Sequence, residues 1–81
     1  MISDSDREHL QVGFKQSIKA VEEGRASKAL LALDCDEKIS APIKKAAASS
    51  GTEVVEVSTM KELGAVCGIE VGASCAVILK F

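Results

Sequence analysis

A chain of 81 residues has room for one compact core, which excludes a two-lobed enzyme with a cleft between domains. At 47% apolar and 27% charged it lies in the globular range, and no stretch approaches the roughly 20 consecutive apolar residues that span a bilayer. The net charge of −2 resides in the first eight residues, where Asp4, Asp6 and Glu8 outweigh Arg7; beyond them nine acids face nine bases, so an overall acidity does not exclude a polyanionic partner.

The chain begins polar and acidic, unlike a basic and then apolar secretory signal, which points to a cytoplasmic protein. Residues 1–9 read as an acidic leader, with Ser3 to His9 as a short polar helix, and residues 10–81 as a single domain. Leu10-Gln11-Val12 is a brief extended step punctuated by Gly13. Phe14, Ile18 and Val21 then form one apolar stripe of a helix that runs to about Glu23 and stops at Gly24. Ala29-Leu30-Leu31-Ala32-Leu33 is a continuous apolar run of central-strand length, with Asp34 at its C-terminal end. Ile39 to Ser50 reads as a helix with Pro42 in its first turn and Gly51 as its left-handed stop. Val54 to Val57 is the next strand. Thr59 and Glu62 have capping-box spacing, opening a helix that ends near Cys67 with Gly68 in the C′ position. Ala73 to Leu79 closes the chain as an apolar strand.

Alternating helices and doubly apolar strands predict an α/β fold: a three-layer α/β/α sandwich around a small mixed sheet of about four strands. In such a fold the informative positions are the loops and helix starts. Around Gly13-Phe14-Lys15-Gln16, Lys15 and Lys19 place two cations on one face near a helix N-terminus, where they oppose the helix dipole. That pair reads either as a solvated lysine face or as a phosphate or guanine contact, for which free N–H groups, Lys and Gln are all suited. The second place is Met60 to Ala73, where Gly64, Gly68 and Gly72 bracket Ile69 and Val71. These two residues read either as an apolar cradle on a loop or as the first inward residues of the last strand. The Gly-x-x-x-x-Gly-Lys phosphate loop is absent.

Catalytic and metal patterns are thin. His9 is the one histidine and lies in the polar leader; Asp34, Asp36 and Glu37 lack the rest of a calcium loop and read as a strand end and a helix start. Cys35, Cys67 and Cys75 have no Cys-x-x-Cys spacing and read as buried, reduced thiols. The chain is therefore expected to be no enzyme and to need no metal or organic cofactor. With no Trp, no Tyr and two Phe, it lacks the aromatic platforms of general single-strand binders.

Taken together, Gly13-Phe14-Lys15-Gln16-Ser17-Ile18-Lys19-Ala20-Val21-Glu22-Glu23-Gly24 and Lys61-Glu62-Leu63-Gly64-Ala65-Val66-Cys67-Gly68-Ile69-Glu70-Val71-Gly72-Ala73 resemble the kink-turn RNA-binding family of ribosomal proteins. This is the superfamily of the large-subunit ribosomal proteins seven-Ae and thirty-e and of Gadd-forty-five. The likeness runs from about residue 10 to the C-terminus and is closest to the small bacterial members, with the Leu-Gly-x-x-Cys-Gly-Ile-Glu-Val-Gly-Ala string as its specific part.

The resemblance implies an α/β/α sandwich that binds a sharply bent RNA duplex with tandem sheared G·A pairs and a short bulge. By that analogy Gly13 admits the RNA backbone, Lys15 and Gln16 read the guanines of the sheared pairs, and Lys19 holds a phosphate or a guanine edge. Ile69 and Val71 line the pocket of the extruded nucleotide, with Glu70 and Lys61 beside it and Asp34 at the floor between the two loops. Phe14 stands where relatives commonly carry a small hydroxyl residue, so either the turn is remodelled or Phe14 stacks on the RNA or on the helix stripe. The sequence pI of 5.3 implies few phosphate contacts and a shallow salt dependence. The expected partner is structured RNA containing a kink-turn, ribosomal or riboswitch-like, bound by a monomer with no membrane association. The alternative is a protein–protein interaction module on the same fold, with the acidic leader and the Ile69/Val71 loop facing a protein.

Overall fold

The computed structural model of the chain describes residues 8–80, so most of the acidic leader expected over residues 1–9 lies outside the described residues. The elements run β1 (Leu10–Val12), α1 (Phe14–Glu22), β2 (Ala26–Ala32), α2 (Glu37–Ser50), β3 (Glu53–Val57), α3 (Met60–Cys67) and β4 (Cys75–Leu79). The four strands form one mixed sheet in the order β1-β4-β2-β3. β2 and β3 are parallel, joined across α2 with Leu30 opposite Val55, and β4 lies antiparallel to both β1 and β2.

The two central strands are the most apolar because helices cover both of their faces. Successive side chains alternate across the sheet, so Ala29, Leu31, Cys75 and Val77 meet Val21, Ile43 and Ala47 of α1 and α2 on one side. Leu30, Ala32, Ala76 and Ile78 meet Leu63 of α3 on the other. The expected three-layer α/β/α sandwich around a four-stranded mixed sheet is the fold observed. β3, at an edge, carries exposed Glu53 and Glu56, charges that discourage pairing with another chain.

Several element ends differ from expectation. β2 starts at Ala26 rather than Ala29, because Lys28 pairs with Glu53 and Ile78 even though it is polar. It ends at Ala32, and Leu33, expected inside the strand, begins the turn and is exposed. α2 starts at Glu37, since the Asp36 carboxylate accepts from the Lys38 N–H and provides the cap. Pro42 therefore sits in the second turn, where it deprives the exposed Lys38 carbonyl of a helical donor that water can replace. β4 starts at Cys75 rather than Ala73, because the Ala73 N–H is taken by the Met60 carbonyl of α3. Of the cysteines expected to be buried, Cys75 is buried, and Cys35 and Cys67 are half-buried.

Candidate nucleic-acid interface

Strand directions decide which parts of the chain meet. β1, β2 and β3 point the same way and β4 the opposite way, so the ends of β1, β2 and β3 lie at one edge of the sheet with the start of β4. That edge brings together Gly13 and the first turn of α1, the Leu33–Asp34 turn, the first turn of α3, and the 68–74 loop. Backbone hydrogen bonds knit them: Gly13 N–H to Cys75 O at 3.1 Å, Ala32 N–H to Ser74 O at 3.0 Å, and Ala73 N–H to Met60 O at 3.0 Å. In open α/β sheets, ligands bind beyond the C-terminal ends of parallel strands.

The first turn of α1 is built differently from the other two. α2 and α3 have side-chain caps, Asp36 and Thr59, and carry Glu37 and Glu62 in their first turns. The Thr59 hydroxyl accepts from the Glu62 N–H at 3.0 Å, as the capping-box spacing predicts. α1 has Gly13 as its N-cap, no side-chain cap hydrogen bond and no acid in the first turn. Gly13 has φ 116° and ψ 153°, a conformation an L side chain rarely adopts, and a Cβ there would meet nothing within 4 Å. The glycine is thus required by the backbone, and the space above it is open for close approach.

Burial of Ser17, Ala20 and Val21 turns Lys15, Gln16 and Lys19 outward. The one ion pair among the described residues, Arg25 with Glu23, involves neither Lys15 nor Lys19. An uncapped helix start with an uncompensated cation at Lys15 is a poor arrangement for stability and a good one for an anion, whereas Lys19, expected to oppose the helix dipole as well, lies in the last turn of α1, where the dipole favours a cation. Phe14 is half-buried against the cluster formed by α1 and α2, which takes it out of the exposed set. Beneath this turn the buried Ser17 hydroxyl has no hydrogen-bond partner of ordinary geometry. It faces the Cys75 thiol, whose pKa burial pushes up, against a smaller opposing effect of the Ser17 and Ser74 hydroxyls. Burial, together with the Asp34 and Asp36 carboxylates, also raises the Cys35 thiol.

On the other side, Asp34 Oδ1 accepts the Met60 N–H at 2.7 Å and ties the end of β2 to the start of α3. The residue expected at the floor between two loops therefore works by fixing where α3 begins. Lys61 is exposed in the first turn of α3. Gly68, with φ 77°, ends α3, and the Ile69 N–H bonds back to the Gly64 carbonyl at 3.0 Å. The loop then lies across α3 so closely that a Cβ on Gly64 would overlap the Val71 carbonyl oxygen. Ile69, Glu70 and Val71 are held on the surface, with Val71 71% exposed, which decides between the two readings of Ile69 and Val71 in favour of the loop. Leu33, 57% exposed, joins them at the same edge although its sequence placed it inside the strand, and Met60, at the head of the second glycine-bearing segment, is exposed there too. The signal for Leu33 was its place next to Asp34 at the end of an apolar run. Among the described residues no group of three His, Cys, Asp or Glu is placed to hold a metal ion.

The model of the Ribosomal protein L7Ae/L30e/S12e/Gadd45 family matches residues 3–81. The chain belongs to that family. An RNA-binding protein of Caldanaerobacter subterraneus subsp. tengcongensis is 43% identical over 65 residues, covering 80% of this chain and 79% of its own length. The RNA-binding protein YbxF of Geobacillus stearothermophilus is 39% identical over 69 residues, covering 85% and 84%. Among solved structures, the Giardia lamblia 15.5kD RNA binding protein superposes with a TM-score of 0.84 at 24% identity over 95% of this chain and 65% of that one, a likeness of fold. Family membership agrees with the resemblance carried by the two glycine-bearing segments; the start of the first and both ends of the second lie at the edge described above.

Proposed function

We propose that the chain is a non-catalytic RNA-binding protein that recognises kink-turns in structured RNA, ribosomal or riboswitch-like, and stabilises their bent form. The observation that carries this reading is the meeting, at one edge of the sheet, of the uncapped α1 start bearing Lys15 and Gln16, with Lys19 one turn further along the helix, and the loop presenting Ile69, Glu70 and Val71. An A-form duplex hides base edges in a major groove too narrow for side chains. A kinked duplex offers sheared G·A edges to Lys15 and Gln16, and an unstacked base to the apolar loop. Lys19 and Lys61 face phosphates, Gly13 lets the RNA backbone approach, and Asp34 acts through its hold on α3. The protein works as a cytoplasmic monomer without a cofactor. A ligand shifts an equilibrium only by its differential affinity for the two states, so stabilisation of the kink follows from binding the kinked conformer alone.

The test is binding to a short duplex with a standard kink-turn, against the same duplex with its G·A pairs replaced by Watson–Crick pairs, in magnesium and moderate salt. Tight binding to the kink-turn alone is expected. Weak or equal binding to both sinks the RNA reading and turns the search to protein partners of the Ile69/Val71 loop.

A further inference from the structure

The ten acids and nine bases of the described residues are unevenly spread. α1 carries Lys15 and Lys19 against Glu22, and α2 carries Lys38, Lys44 and Lys45 against Glu37, whereas the other described residues hold eight acids and four bases. Both helices pack on one face of the sheet, so a single layer of the sandwich is cationic although the chain is acidic. β1 and β2 are parallel and each leads into the helix that follows it, so α1 and α2 start at the edge that holds Gly13 and run side by side away from it. An open cleft of about 560 Å³ lies between them, lined among others by Ile18 and Glu22 of α1 and by Pro42 and Lys45 of α2. Lys38 stands two helical turns before Lys45, roughly 10 Å away on the same stripe of α2. Stability accounts for neither. Lys38 is in the first turn of α2, where the helix dipole disfavours a cation, and Lys45 has no acid three or four positions away on its own helix. Both are exposed, and among the described residues neither is ion-paired, Lys45 included although Glu22 lines the same cleft.

We propose that the cleft between α1 and α2 is a second RNA-contact surface, which holds the phosphodiester backbone of a stem leaving the kink, with Lys38 and Lys45 on one wall and Lys19 on the other. This rests on the RNA reading above. The occupant is argued from charge and continuity. Glu22 is the one acid among the residues lining the cleft, while Asp36 and Glu37 stand at its head, where the cap and the dipole of α2 account for them. Lys15, Lys19, Lys38 and Lys45 outnumber these three acids, and the surplus lies on a layer that begins where the kink is read. A stem that leaves the kink over this layer meets lysines set about one and two helical turns from the edge, a spacing that suits successive phosphates and reads no base. Contacts of this kind add affinity and salt dependence without sequence preference.

The experiment measures affinity across a salt series for a kink-turn RNA with minimal stems and for the same RNA with each stem lengthened in turn. The proteins are wild type, the double variant Lys38→Gln/Lys45→Gln, and the charge-matched control Lys44→Gln/Lys80→Gln, whose Lys44 lies about 100° around α2 from Lys45. Lengthening one of the two stems is expected to tighten wild-type binding and steepen its salt dependence. On that RNA the double variant should lose about five- to ten-fold in affinity and about two units of the slope of log K against log salt; on the minimal RNA it should lose less than about two-fold, and the control should match wild type throughout. A wild type indifferent to the length of both stems, a double variant that loses equally on minimal and lengthened RNA, or a control that loses as much, overturns the proposal while the kink-turn reading stands, and leaves the cationic layer to an acidic protein. A wild-type chain that does not prefer the kink-turn over its Watson–Crick counterpart overturns that reading and this one with it.

Discussion

Replacing Gly64 by alanine tests whether the 68–74 loop lies on α3 as described. Gly64 is buried in the middle of α3. In a helix interior, glycine costs about 1 kcal/mol relative to alanine, so helix propensity alone predicts that Gly64→Ala stabilises the protein. The loop reverses the sign. A Cβ at Gly64 would overlap the Val71 carbonyl oxygen and come within 3.1 Å of the Val71 carbonyl carbon and 3.2 Å of Gly72 Cα. All three are backbone atoms, so no change of rotamer relieves them and the loop itself must lift. Overpacking of this kind costs about 1–3 kcal/mol, and strain on the bonds from Ile69 N–H to Gly64 O and Ala73 N–H to Met60 O adds to it. The expected net loss is about 1–2 kcal/mol, or roughly 4–16 °C in Tm for a domain this small. Urea and thermal unfolding followed by far-UV circular dichroism reads this directly. Kink-turn affinity should fall further than the stability loss explains, because Ile69 and Val71 travel with the loop. The control is Ala65→Gly, at the next, exposed position of α3, which should lose about 1 kcal/mol of stability and keep its affinity. A Gly64→Ala protein as stable as wild type or more so, with unchanged RNA binding, would refute the close approach of loop and helix.

Three further outcomes follow from the same geometry. Lys15→Ala and Gln16→Ala should each weaken kink-turn binding by about ten- to a hundred-fold, since a base-edge contact is worth about 1–3 kcal/mol. Lys15→Ala should also gain up to about 1 kcal/mol of stability by removing a cation from a helix N-terminus, so a calorimetric titration paired with a urea melt separates a binding role from a structural one. Asp34→Ala should cost about 1 kcal/mol by freeing the Met60 N–H, and Asp34→Asn, which keeps an acceptor, should cost less; equal losses in urea melts would show that the 2.7 Å bond does not matter. Burial raises the folded Cys75 thiol above its ordinary value of 9.0, so the unfolded chain loses that proton first as pH rises. The stabilisation is complete below about pH 9 and declines above it. A Cys75→Ala variant should lose most of that decline in urea midpoints measured on either side of pH 9.

Most of the element types were legible in the sequence because their signals are local. Gly24, Gly51 and Gly68 stop helices with positive φ of 71–77°, Thr59 caps α3, and the apolar runs of β2 and β4 mark strands covered on both faces. The pairing of the Gly13 turn with the Gly64–Gly72 segment came through the family resemblance, and family membership supports it. Element ends were less legible, since hydrogen bonds to distant segments override local preference. Lys28 enters the sheet because Glu53 and Ile78 lie opposite it, and Ala73 leaves it because Met60 claims its N–H.

What the sequence determined by itself was the set of parts: an apolar core that alternates between strand and helix periods, and a helix with Lys15 at its uncapped start and Lys19 one turn further on. What only the tertiary structure decided was their assembly. Inserting β4 antiparallel between β1 and β2 brings the start of α1 and the loop before β4 to one edge, although some fifty residues separate them in the chain. It also turned Leu33 from a strand residue into exposed surface and settled Ile69 and Val71 as loop. Each of these outcomes depends on contacts between segments far apart in the chain, and no local pattern of polar and apolar residues records such contacts.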